Sequence, residues 1–392
     1  MNHRRHTTLI LVLGSLTAIG PFSIDMYLPG FPTIARDLGT DISHVGLSLT
    51  SYFVGISAGQ LAYGPLLDRY GRKRPLMAGL LLYVFAAVAC GLASSIPWLV
   101  AMRFVLALGA CVGIVAARAI VRDLFPLKEV ARIFSTLMLV LAVSPIVAPS
   151  VGAYVADVYG WRYIFAVLTA IAVLILLLVV ALLPESRPPD RSISFHPVTL
   201  VRTYLNVFRE PEFAAYGVAS AAASAGLFAY IAASPSVFMG MYGLSEQQFG
   251  IVFSLSACGV VGASQVNRLW LRKRTSKEIS IVAVVAQTTA AVVLLILAII
   301  GVPAAVLLAL LFCYLVGLGF LSPNTTAVAI APFTSHAGTA SALMGSMQMA
   351  AGAIGSSLVS LFHTETAVPM AGVLLVASLG SLGLQLGFKA RG

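Results

Sequence analysis

Charged side chains are scarce in this chain: Asp, Glu, Lys and Arg make up 10% of its 392 residues. A soluble globular domain carries about 25%, so water is excluded as the main solvent and no sizeable soluble domain is left over. Cysteine is scarce too. Cys90, Cys111, Cys258 and Cys313 each sit inside an apolar run, without a CxxC spacing or a metal-ligand pattern with His. That excludes zinc sites and redox pairs and leaves four small core residues. No G-x-x-x-x-G-K-[ST] loop occurs, which removes an ATP site and leaves an ion gradient as the expected energy source. His3, His6, His44, His196, His336 and His363 fall in termini, loops or span ends. A membrane-embedded enzyme needs paired acids, a nucleophile with its base, or a His cluster facing a site, so an enzyme is not expected. No metal or cofactor is expected either.

Apolar side chains are abundant: 59% of residues are hydrophobic and the mean hydropathy is +0.97. A bilayer core of about 30 Å takes roughly 20 apolar residues per helix. Runs bounded by charges or Pro/Gly clusters place spans at 8–30, 43–67, 75–95, 97–121, 130–153, 161–183, 212–235, 246–268, 278–300, 303–327, 337–361 and 366–388. The start His3-Arg4-Arg5-His6 before an apolar run has the look of a signal peptide. The run continues to about Gly30 without a small-residue cleavage site, so an uncleaved first span is expected.

A net charge of +10 and a pI near 9.7 would suit a nucleic-acid partner only if the charge lay on one solvated face. Instead, twenty of the 24 Lys and Arg fall in the termini and alternate loops: Arg4, Arg5, Arg69, Arg72, Lys73, Arg74, Arg122, Lys128, Arg132, Arg187, Arg191, Arg202, Arg209, Arg268, Arg272, Lys273, Arg274, Lys277, Lys389 and Arg391. Arg36 and Arg162 fall on the other side, and Arg103 and Arg118 within a span. Lys and Arg collect on the cytoplasmic side of short loops, so both termini are expected there and no nucleic-acid partner is expected. The longest connection contains Pro188-Pro189 and mixed charge. It divides the chain into an N-terminal six-helix bundle (1–183), a cytoplasmic linker (184–211) and a C-terminal six-helix bundle (212–392). Each half repeats a basic cluster between its second and third spans, Asp68 to Arg74 and Asn267 to Arg274, the weak internal repeat of a two-halved transporter. One chain holds both halves, so a monomer is expected.

The stretch Gly64-Pro65-Leu66-Leu67-Asp68-Arg69-Tyr70-Gly71-Arg72-Lys73-Arg74 resembles the signature loop of the major facilitator superfamily, roughly G-x-L-x-D-R-x-G-R-K/R. Arg103 to Gly109 is similar to the R-x-x-x-x-x-G motif of the fourth span. Ser144-Pro145-Ile146-Val147-Ala148-Pro149-Ser150-Val151-Gly152 is similar to the fifth-span motif of twelve-span drug/proton antiporters. Ser23-Ile24-Asp25-Met26-Tyr27-Leu28-Pro29 and Arg122-Asp123 resemble the Bcr/CflA branch, which includes bicyclomycin and chloramphenicol-type exporters. The chain departs from the pattern where Pro65 follows Gly64, and where Ala148-Pro149-Ser150 replaces the usual Gly-Pro. The resemblance covers essentially the whole chain. It implies an all-α membrane protein of two pseudo-symmetric six-helix bundles in the cell inner membrane. Such a protein exports drug-like molecules, bicyclomycin or amphenicols among them, by alternating access in exchange for protons. A proton-coupled importer or exporter of a small metabolite is the alternative. The span-five motif favours export, and the spans hold few of the polar side chains a sugar importer would display.

Asp25 is the carboxylate placed clearly within a span, where an acid costs about 2.5–3.5 kcal/mol and marks a functional site by default. Counted from the span ends, Asp25 and Arg103 both lie roughly 8 Å below the outer edge at 1.5 Å per residue, and the resemblance implies that both line a central cavity. Burial raises an Asp pKa and a nearby Arg lowers it, so movement between the two environments would switch its protonation. A structural ion pair is the competing reading. Arg118 either lines the cavity or snorkels to the interface. Gly64, Asp68, Arg69, Gly71, Arg72 and Lys73 are expected to form a cytoplasmic gate of carboxylate, guanidinium and backbone groups, against the alternative of a solvated loop that only orients the protein. Pro21 and Pro29 flank Asp25, and Pro145 and Pro149 with Gly152 interrupt span five, each proline inviting a bend. Gly345, Gly352, Gly355 and Ser356 permit close helix packing. For substrate contacts the candidates are Phe22, Asp25, Tyr52, Arg118, Phe228, Tyr230, Met344, Met347 and Gln348, since aromatic and Met surfaces accept varied apolar ligands.

Overall fold

Without water to bond its amides, a chain crossing hydrocarbon must close its hydrogen bonds internally, and every regular element among the described residues is helical. The computed structural model describes residues 3–190, 197–333, 337–362 and 366–389. Arg191, His196, His336, His363 and Arg391 lie outside the described residues, as do the side chains of His3, Arg4, Arg5, His6, Lys128, Arg132 and Lys389.

Among the described residues, twelve helical stretches are long and apolar enough to span a membrane. The first crossing, Thr7–Asp37, is longer than expected. It comprises α1 (His3–Asp25), a tight turn at Leu28–Gly30, and α2 (Phe31–Asp37). Pro29 stands in the first turn of a new helical segment, where its missing N–H does no harm, so it bends the crossing without ending it. The chain continues with α3 (Ile42–Tyr70), α4 (Lys73–Gly91), α5 (Ile96–Leu124), α6 (Leu127–Tyr159) and α7 (Arg162–Leu182).

The connection then forms α8 (Pro197–Phe208), a 12-residue helix where sequence reading expects only a linker. Next come α9 (Pro211–Pro235), prolonged by a wider helical turn at Ser236–Met241, and α10 (Glu246–Trp270). They are followed by α11 (Ser276–Ile300), α12 (Ala304–Ile330), α13 (Ala337–Leu361) and α14 (Val368–Lys389). Asp41 caps α3, and the reciprocal Ser245/Gln248 and Thr275/Glu278 caps start α10 and α11.

Helices α1, α3, α4, α5, α6 and α7 pack among themselves, as do α9 to α14. The two groups meet mainly where α3 lies on α13 and α6 on α10. Phe85, Leu174, Leu177 and Ile299 remain exposed on the outer faces of α4, α7 and α11, where a bilayer would cover them. Because the helices alternate in direction, Arg69, Arg72, Lys73, Arg74, Arg122, Arg187, Arg268 and Arg272 share the end at which α1 begins and α14 ends.

From mid-depth to the opposite end the seam between the groups is closed. Ser57 bonds Ser346 at 3.0 Å, Thr50 bonds Ser356 at 2.7 Å, and the Ser254 hydroxyl donates to the Ile146 carbonyl at 2.7 Å. Phe53 lies against Phe228, ring centroids 4.3 Å apart. At the end that holds the termini the seam parts into a cavity of about 490 Å³.

Candidate functional site

The site begins at the break after Asp25. Pro21 and Pro29 each withdraw an N–H from the helical ladder, and the backbone turns through Met26 N–H to Phe22 carbonyl (3.2 Å) and Gly30 N–H to Tyr27 carbonyl (3.2 Å). Gly152 of α6 makes room for this break: a Cβ there would collide with the Met26 carbonyl. The span-five motif is thus seated directly against the residue after Asp25 through Gly152, three residues beyond Pro149 in α6.

Arg103 of α5 is fully buried. Its Nη1 donates to the Ser23 carbonyl at 2.9 Å, and its guanidinium carbon stands 4.4 Å from the ring centroids of both Tyr27 and Tyr52. A cation between two aromatic faces is held by the rings' negative faces. The tyrosine hydroxyls are themselves fixed, Tyr27 to Ser48 at 2.8 Å and Tyr52 donating to the Gly20 carbonyl at 3.2 Å. Ser23 also bonds Tyr83 at 2.7 Å. One turn and a half along α5, Gly109 lets the Tyr83 backbone approach, its absent Cβ lying 2.6 Å from the Tyr83 nitrogen. The R-x-x-x-x-x-G spacing therefore serves one packing unit.

Sequence depth suggests an Asp25–Arg103 pair, but the structure does not join them. Arg103 reaches the backbone of Ser23, two residues before Asp25, because the break carries that carbonyl toward α5. Its Nε and Nη2 have no hydrogen-bond partner among the described residues. Asp25 is 4% exposed and stands within electrostatic reach of Tyr52 in α3 and Tyr230 in α9.

The second cluster lies at the end that holds the termini. Arg72 donates from Nη1 to Asp68 at 2.6 Å and from Nε to Asp123 at 2.8 Å. Burial works against the Arg72 charge, but these two hydrogen-bonded carboxylates outweigh it and hold the guanidinium above its usual pKa. The Arg72 and Lys73 backbone N–H groups donate to the Glu185 carboxylate at 2.7 and 3.2 Å, and Ser186 donates to Asp123 at 3.1 Å. Lys73 Nζ donates to the Val180 carbonyl at 2.9 Å, and Arg187 stands 3.7 Å from Asp68.

Gly71 adopts φ +83°, which brings the Arg72 N–H round to Glu185. Arg69 lies over the ring of Tyr70. Sequence reading missed Asp123 and Glu185 as members of this cluster, although Arg122-Asp123 stood out as a pair. All these partners belong to the first group of helices and the chain just after it, so the cluster braces α3, α4, α5 and α7 to one another.

The cavity at this end is lined by α3, α5, α8, α13 and the segment after α7, including Gln60, Gly64, Asp68, Arg118, Arg122 and Tyr204. Of the expected substrate contacts only Arg118 lines it. Phe228 is held on Phe53, and Tyr230 stacks on Phe253 at 5.7 Å. Met344 packs with Phe213 and Tyr216, with Met347 beside it. Gln348 donates to Ser220 at 2.9 Å, and Phe22 is half-buried against the core. The closed seam, and for the methionines the turn of α13 toward α9, separates these residues from the opening. Gln60 and Tyr204 carried no sequence signal of their own.

A family model described as Major Facilitator Superfamily matches residues 13–356. The MFS-type transporter YdgK of Bacillus subtilis (strain 168) is 36% identical over 382 residues, 97% of this chain and 95% of that protein. A bicyclomycin resistance protein homolog of Haemophilus influenzae is 32% identical over 375 residues, 94% of this chain and 93% of that one. Among solved structures, a bacterial homolog of the human lysosomal transporter Spinster, in an inward-facing and occupied conformation, superposes with a TM-score of 0.78. At 13% identity, over 100% of this chain and 98% of the other, that match speaks for the fold alone.

Proposed function

The chain belongs to the Major Facilitator Superfamily, and from that premise we propose that it exports drug-like small molecules in exchange for protons. It is a transporter, not an enzyme, and a multi-pass protein of the inner membrane. The name of the Haemophilus relative supports antibiotics of the bicyclomycin type as substrates, and the resemblance of the span-one segment supports amphenicols.

The observation that carries the proposal is the pair of unfinished contacts at the break: a buried Asp25 that makes no side-chain hydrogen bond among the described residues, and, two residues before it, the Ser23 carbonyl held by an Arg103 whose Nε and Nη2 are left unpartnered. When Asp25 loses its proton, the carboxylate becomes the partner those donors lack, and α1 and α5 draw together. When it gains one, the attraction ends and Arg103 returns to Ser23 and its two rings. A group whose protonation decides which contacts form couples proton movement to helix movement.

The bundles 1–183 and 212–392 rock about the closed seam, with 184–211 as their tether. The termini face the cytoplasm because most Lys and Arg gather at that end, so the cavity is the inward-facing entrance. The Asp68/Arg72 cluster, with Gly64, Arg69, Gly71 and Lys73, gates that entrance by keeping the first bundle's helix ends together as it moves.

Proteoliposomes holding the purified chain and an imposed pH gradient test this. Drug and proton should flow in opposite directions, and Asp25→Asn should still bind drug but lose the response to the gradient. Gradient-driven export by Asp25→Asn at wild-type rate would sink the proposal, and co-flow of drug and proton would establish an importer instead.

A further inference from the structure

Four guanidinium groups line the open cavity, and they divide by partner. Arg72 is held by Asp68 and Asp123, and Arg187 faces Asp68. Arg118 and Arg122 also line it, four residues apart on one face of α5, and neither has a hydrogen-bond or ion-pair partner among the described residues. Like charges one turn apart repel, so this arrangement costs stability in the empty protein. Arg122, in the last turn of α5, is favoured there by the helix C-terminus. Arg118 is a turn deeper and half-buried, with no such compensation.

The surrounding wall is apolar and small, formed by Leu67, Ile114, Val115, Ala119 and Ala342. A volume of about 490 Å³ suits a drug-sized molecule and is far larger than an inorganic anion requires. A guanidinium offers a planar fork of donors matched to a carboxylate or phosphate.

We infer that this cavity selects organic anions, an acidic head between Arg118 and Arg122 with an apolar body against the α3–α5–α13 wall. Arg118 is the specificity-determining residue. The inference rests on the transporter reading above and adds an acidic substrate class to the uncharged antibiotics named there.

The test is equilibrium binding to the purified full chain in detergent, with 4-biphenylcarboxylate and 2-naphthoate each measured beside its neutral carboxamide. The carboxylates should bind about tenfold more tightly than the amides, the size expected for charge-assisted hydrogen bonds. The preference should shrink as salt rises from 50 to 500 mM, by screening. Arg118→Gln should erase it while leaving amide affinity unchanged, and Arg118→Lys should keep part of it.

Equal binding of acid and amide by the wild type overturns the inference, a result that needs no variant to fold. So does a preference that survives in Arg118→Gln with a wild-type melting temperature, or displacement of the carboxylates by equimolar inorganic phosphate. Failure of the exporter reading looks different: the acid preference persists in binding while an imposed pH gradient moves none of the four compounds.

Discussion

The Tyr204 hydroxyl donates to the Leu61 carbonyl at 3.1 Å, the acceptor that Pro65, four residues on, leaves without its helical donor. The proline that departs from the family loop pattern thus opens a docking point on α3 for α8, which also touches α13 and α9. The connection between the two helix groups is thereby fastened across the mouth of the cavity.

Tyr204→Phe removes that bond and little else. A hydrogen bond of this kind contributes about 1 kcal/mol, so the population open at this end should fall about fivefold relative to the closed one. Distances between spin labels at the ends of α3 and α13 would report the change. An unaltered distribution would mean that α8 is held by packing alone.

Arg103→Met separates stability from function. Methionine is close in length, fits between Tyr27 and Tyr52, and removes the two buried donors that lack partners. Exchanging buried charge for apolar volume is often neutral or stabilising. The variant should melt no lower than wild type yet lose gradient-driven transport by more than tenfold. Transport at wild-type rate would show that the guanidinium is architectural.

Gly152→Ala should harm both. The added methyl meets the Met26 carbonyl, which is backbone and cannot swing aside. Overpacking of this kind costs about 1–3 kcal/mol, read as a lower melting temperature, and it displaces the break beside Asp25. Alanine at Gly64, where a Cβ meets nothing within 4 Å, is the control and should leave the melting temperature unchanged.

Arg72→Gln leaves Asp68 and Asp123 without their shared cation. The loss should be about 2 kcal/mol, below that of a fully buried pair because Asp68 is 40% exposed and water recovers part of the difference. Thermal unfolding should therefore begin earlier in Arg72→Gln than in Arg69→Gln. Equal onset in the two would place the weight of the cluster elsewhere.

The twelve crossings were legible in the sequence because hydropathy and length alone decide them, and Asp25 and Arg103 stood out because charge is costly in hydrocarbon. What was not legible depended on rotation and on partners distant in sequence. Met344 and Met347 look like cavity residues until α13 is seen to turn them toward α9. Glu185 gives no local sign that it will receive backbone N–H groups from residues 72 and 73, because a turn at Gly71 makes that meeting. The Asp25–Arg103 expectation placed the side chains at neighbouring depth yet missed the Ser23 carbonyl, since no depth count registers a helix break.

The closed stretch of the seam is fastened at mid-depth by hydroxyls, Ser57 to Ser346, Thr50 to Ser356 and Ser254 to the Ile146 backbone, and at its far end by Gln247 donating to Asp157 and Thr33 donating to Glu246. Among the described residues no ion pair joins the two helix groups. A hydroxyl can give or take a hydrogen bond with equal ease, so each mid-depth contact released finds water or its own helix at once. Such a seam unzips one stitch at a time, and its reversal needs no ion to find its counterpart again.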